Sequence, residues 1–159
     1  QVQSIDAALA RAEEALGVQP EHAGAHYFKG RVLVNEKFDD AGVPHLERAM
    51  EADPDAIEPG CQILHHHFAS TNRHDRAEHY LKLYDDYQIK LTRAQQERNV
   101  LSSTDEFDPH GLPAAEIERI VQSLAAIKPV LRVWIARKRV TYFPQKPAYM
   151  MVIELRYPW

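Results

Sequence analysis

The chain has 159 residues, 45% hydrophobic and 26% charged, which suits one domain or a repeat array with a small appendage, and is long enough for a true core. Its net charge of −4 is unevenly spread: residues 1–90 carry 9 Lys/Arg against 16 Asp/Glu, and residues 91–159 carry 10 against 7, so neither part has the basicity of a nucleic-acid binder. No run of about 18 apolar residues is present, no direct membrane insertion is expected, no secretory leader is read in this piece, and the lone Cys61 excludes an internal disulfide.

Apolar residues at 5, 8, 9, 12, 15 and 16 predict an amphipathic helix from Ile5 to Leu16, with Gly17 ending it in the left-handed conformation. A second helix is predicted over 22–35, with Ala25, Phe28, Val32 and Leu33 as its apolar stripe, and a third over 38–52, using Phe38, Ala41, Leu46, Ala49 and Met50. Pro44 bends that third helix unless it begins a turn later. Asp53-Pro54 and Glu58-Pro59 are alternative starts for a fourth helix that buries Ile63, Leu64, His67 and Phe68. Asn72 with Asp75 resembles a capping box for a fifth helix over 74–90, whose inner face carries Ala77, Tyr80, Leu81, Tyr84 and Tyr87 or Gln88. No proline closes it, so it is expected to run on toward Glu97.

Residues 102–113, polar and rich in Gly and Pro, read as a linker between residues 1–101 and a small α+β segment over 114–159. In that segment Ile117, Ile120, Val121, Leu124 and Ile127 have helical spacing and Lys128-Pro129 stops the helix. The period then changes to two, with Leu131, Val133 and Ile135 opposite Trp134, Ala136 and Val140, and again at Tyr149, Met151, Ile153 and Leu155. This predicts a two-stranded hairpin that must pack on the helix, on the preceding helices or on strands beyond Trp159. Both ends read as cut, so a fragment of a longer protein is expected.

Four pairs lie 34 positions apart: Ala8 and Gly42, Ala15 and Ala49, Leu16 and Met50, Pro20 and Pro54. On these residues the chain resembles the tetratricopeptide repeat family. With Pro54 closing a unit, Gly30 falls at the family's close-packing glycine, Gly42 and Ala49 at its small positions and Leu46 at a large apolar one, whereas His26 and Lys29 stand where tryptophan and leucine are usual. The resemblance implies a mainly α fold, an antiparallel helix-pair stack, whose first helices line a groove. That wall would be formed by Tyr27, Arg31 and Asn35 from one unit and His65 and Phe68 from the next. Arg31 would clamp a carboxylate, and Tyr27 and Phe68 would pack side chains of a bound peptide.

Residues with chemical potential give little else. His65, His66 and His67 point about 100° apart on a helix and cannot share one ion. His67 is expected to pack, His66 to be solvated and His65 to face the groove. Cys61 has no nucleophile signature, and Asp105, Glu106, Asp108 and His110 read as a solvated acidic linker. Arg137-Lys138-Arg139 reads as charge on an edge strand that deters aggregation. No catalytic residue, metal ligand set or cofactor is assigned to this segment.

The stretches Phe107-Asp108-Pro109-His110-Gly111-Leu112, Arg137-Lys138-Arg139-Val140 and Phe143-Pro144 are similar to the repeat-bearing C-terminal region of bacterial zinc metallopeptidases of the HtpX or CAAX-prenyl-protease type. That resemblance implies a parent with zinc and an N-terminal catalytic domain. The H-E-x-x-H that such chemistry needs is absent here. Two functions therefore stand: a non-catalytic interaction module that binds a protein or peptide, or an accessory region packed on a catalytic domain of the same parent chain.

Overall fold

The computed structural model describes residues 2–156, so Tyr157-Pro158-Trp159 lie outside the described residues. The chain is mainly helical with a small antiparallel sheet: α1 (Val2–Val18), α2 (Ala23–Glu36), α3 (Val43–Ala52), α4 (Ile57–Ser70), α5 (His74–Asn99), β1 (Phe107–Pro109), α6 (Ala114–Ala125), β2 (Val130–Lys138) and β3 (Ala148–Leu155). It divides into two compact units, residues 1–89 and 90–159, and the division falls within α5 rather than at the 102–113 segment.

In unit 1, α1 packs on α2, α2 on α3, and both α2 and α3 on α4. The α2–α3 contact is close because neither Gly30 nor Gly42 has a side chain: a Cβ on Gly30 would lie 2.8 Å from the Gly42 carbonyl oxygen, and one on Gly42 would lie 2.6 Å from that of Gly30. Around this contact the core gathers Val34, Val43, Leu46, Ala49, Met50, Cys61, Leu64, Phe68, Ala77 and Tyr80. Phe68 of α4 stacks on Tyr80 of α5 with centroids 5.6 Å apart.

Several helix boundaries differ from expectation for local reasons. Gly17 lies inside α1, which runs on to Val18, and it does not adopt a positive φ. The helix expected over 38–52 begins at Val43, with a 3-10 turn over Asp40–Gly42 before it; Asp39 accepts the Ala41 N–H at 2.8 Å, and Pro44 in the first turn gives up no donor the helix needs. Phe38 is thereby left outside, at φ 52° and 75% exposed, instead of joining the core. At the next junction the Asp53-Pro54 start is used, and Glu58-Pro59 falls inside the first turn of a helix that has already begun at Ile57. Asp53 accepts the Asp55 N–H at 2.9 Å and opens a 3-10 turn over Pro54–Ala56, and α4 follows with Pro59 in its first turn.

Asn72 closes α4 rather than opening α5. It sits at φ 58°, its N–H reaches the Ala69 carbonyl and the Arg73 N–H reaches that of Phe68, which satisfies two carbonyls at the end of α4. The fifth helix then extends to Asn99, because nothing from Lys90 onward breaks it.

Unit 2 holds a three-stranded sheet in the order β1-β2-β3, not a two-stranded hairpin. The added strand comes from the segment read as a linker: Phe107, Asp108 and Pro109 pair with Lys138, Arg137 and Ala136. Three residues are too few for an alternation to be read. In consequence β2 is central, and Arg137-Lys138-Arg139 does not guard an edge.

Candidate functional site

Tyr27, Arg31 and Asn35 recur every four residues on α2, yet they open onto two hollows. Arg31 and Asn35 are exposed and, with Ile5 and Ala8 of α1 and Phe28, Val32 and Glu36 of α2, surround a cavity of about 260 Å³. The Arg31 guanidinium lies 5.6 Å from the centroid of the Phe28 ring and forms no ion pair among the described residues. Tyr27 is half-buried against the core and faces a separate cavity of about 240 Å³ with Ala23, Gly24, Asp53 and Pro59.

The two groove residues expected from α4 lie in its packing with α5. Phe68 is wholly buried, and this corrects its assignment to a groove wall: it is stacked on Tyr80, with the Arg73 and Arg76 guanidinium groups 4.6 and 4.2 Å from its ring centroid. His65 is half-buried, and its Nδ1 donates to the Ala77 carbonyl at 3.0 Å, so the ring is held by α5. Two of the five predicted residues, Arg31 and Asn35, thus share one concavity.

The remaining polar candidates, His66 apart, are engaged structurally. His66 is exposed, while buried His67 donates from Nε2 to Asp40 Oδ1 at 2.7 Å, and Arg73 binds both oxygens of that carboxylate. Arg73 first, and His67 after it, hold the Asp40 carboxyl well below the usual carboxylate range. These partners are 27 and 33 residues away in sequence, which no local pattern announces. The Cys61 thiol donates to Met50 Sδ at 3.8 Å, and burial pushes its pKa up to about 11, which is the behaviour of a core residue and not of a nucleophile. His110 Nδ1 accepts the Leu112 N–H, and Glu106 and Asp108 bind Arg139. Among the described residues no three His, Cys, Asp or Glu side chains converge on a possible metal position.

No family model, curated protein or solved structure matches the chain.

Unit 2 contributes a second open surface. No residue of α6 is buried, and Ile117, Ile120, Val121 and Leu124 look across a cavity of about 390 Å³ at Val133 and Ile135 of β2. On the same sheet face Tyr149, Met151, Ile153 and Leu155 of β3 are all exposed. The period of two was legible in the sequence; that α6 would leave this face uncovered was not.

Proposed function

We propose that the chain is a non-catalytic interaction module whose unit 1 is a tetratricopeptide-type helix-pair stack that binds a carboxylate-bearing peptide segment. The Gly30–Gly42 contact supports the repeat reading, since the family's small positions serve close helix packing. The observation that carries the function is Arg31: an exposed guanidinium over Phe28, with no ion pair among the described residues, beside the Asn35 amide and an apolar-sided hollow. A guanidinium so placed offers two parallel N–H donors to a carboxylate, and Ile5, Ala8 and Val32 offer contact to the neighbouring side chain. Peptides selected from a random library against the purified chain are expected to share an acidic residue or a free C-terminus next to an apolar one. Arg31→Ala should weaken the best of them at least tenfold, about 1.4 kcal/mol, by calorimetry. Selected peptides without a carboxylate, or binding unchanged in Arg31→Ala, would refute the assignment.

The open apolar layer of unit 2 favours a second reading, that this chain is an accessory region packed on another domain of its parent protein. Contiguous apolar surface of this kind marks an interface more often than a free face. In a longer parent chain the β3 amides are expected to exchange hydrogen more slowly than in residues 1–159 alone, and equal exchange removes this reading.

A further inference from the structure

His26 is 2% exposed, and both of its ring nitrogens are engaged. Nε2 lies 2.7 Å from the Pro20 carbonyl oxygen, in the connection between α1 and α2, and Nδ1 lies 2.8 Å from Nδ1 of His45 on α3. A carbonyl only accepts, so His26 Nε2 carries a proton. In the neutral ring Nδ1 is then an acceptor, and the proton between the two rings comes from His45. One added proton leaves this bond intact, because a single N–H still faces a single lone pair. A second added proton does not: N–H then faces N–H, and two like charges meet in a half-buried space with ring centroids 5.0 Å apart.

We propose that the His26–His45 pair is an acid-sensitive latch, which fastens α3 to α2 at neutral pH and releases it once both rings are charged, while His26 Nε2 keeps its bond to the Pro20 carbonyl. The surroundings set the direction of the response. His45 is faced by Lys29 and His26 of α2, Arg48 of α3 and Glu13 of α1, and Glu13 is itself bound to Lys29 at 3.0 Å. Burial first, and then the positive Lys29, lowers the pKa of His45 below that of a free imidazole. A folded-state pKa lowered in this way contributes stability that is complete above the unfolded value near 6.5 and is lost as pH falls through the folded value. This response is independent of any ligand on Arg31.

The test is histidine-ring NMR on the full chain from about pH 7.5 to about pH 4.5, with backbone amide exchange measured on the same samples. His45 is expected to titrate below free imidazole, and the protection of α2 and α3 amides should fall several-fold in the step that leaves both rings charged, while α4 keeps its protection. His45→Gln retains a donor toward His26 Nδ1 but cannot titrate, so the step should vanish. The latch is overturned if His45 titrates at or above the free value, if α2 and α3 protection persists with both rings charged, or if His45→Gln keeps the step. Should that variant fail to fold, ring titration and exchange in the unsubstituted chain decide the matter alone.

Discussion

Gly30→Ala is expected to destabilise unit 1 by about 2 kcal/mol, even though alanine is the better helix former by about 1 kcal/mol. The new methyl would lie 2.7 Å from Leu46 Cγ and 2.8 Å from both the Leu46 nitrogen and the Gly42 carbonyl oxygen. Two of those three atoms are backbone, so relief requires α2 and α3 to separate, which loosens Leu46 and Ala49 in the core between them. Gly42→Ala meets the same wall from the other side, at 2.6 Å from the Gly30 carbonyl oxygen. Because the two substitutions force the same separation, their costs should not add. Gly17→Ala is the control: nothing lies within 4 Å of its added Cβ, and a gain of up to about 1 kcal/mol is expected from helix propensity alone. Urea unfolding of the three variants reads the contrast directly, and a neutral Gly30→Ala would deny that close backbone approach organises this pair.

That glycine pair shows what can be read from order along a chain. Spacing of small residues and apolar periodicity are local signals, and they located α2, α3, α4 and the α2–α3 contact. The misreadings arise where a partner distant in sequence decides the matter. His26 was not placed on the apolar stripe of α2 and is buried all the same, because Pro20 and His45 satisfy both its nitrogens. Phe68 was correctly placed on the buried side of α4, but it was also assigned to a groove wall that α5 closes off. Asp40 fell inside the helix predicted over 38–52; it stands in the turn before α3, where His67 of α4 and Arg73 of the α4–α5 connection meet it. Of the candidate site, Arg31 and Asn35 were legible because exposure on a helix face follows from its period. Their hollow was not, since α1 supplies Ile5 and Ala8 to it. The charged run at the end of β2 was misread most fully: a residue type that normally marks solvent is there the most enclosed polar anchor of unit 2.

Lys138→Met is expected to destabilise unit 2 by about 3 kcal/mol. The side chain is 4% exposed, and its ammonium lies 2.7 Å from the Glu97 carbonyl, 2.7 Å from the Val100 carbonyl and 2.7 Å from Asp105 Oδ2, so its three donors meet three acceptors. The carbonyls belong to the last turn of α5 and the residue after it, where a cation also meets the negative end of the helix dipole. The same turn holds the connection between β2 and β3. Glu97 accepts the N–H groups of Thr141 and Tyr142, and Arg98 donates to the carbonyls of Phe143 and Lys146. Methionine preserves the packing of the stem and leaves the three acceptors without their donor, whereas arginine keeps the charge but not the compact three-way geometry, so neither should restore stability. The pH dependence separates this account from simple loss of packing. Lys138 first, and the Ser102 N–H after it, hold the Asp105 carboxyl below its usual range, so its contribution is complete above an unfolded pKa near ~3.9 and is lost as pH falls through the lower folded value. In Lys138→Met the Asp105 titration, followed by carboxyl NMR, should move upward; an unmoved titration, or stability within about 0.5 kcal/mol of the parent, would show that the buried ammonium is not what ties β2 to the end of α5.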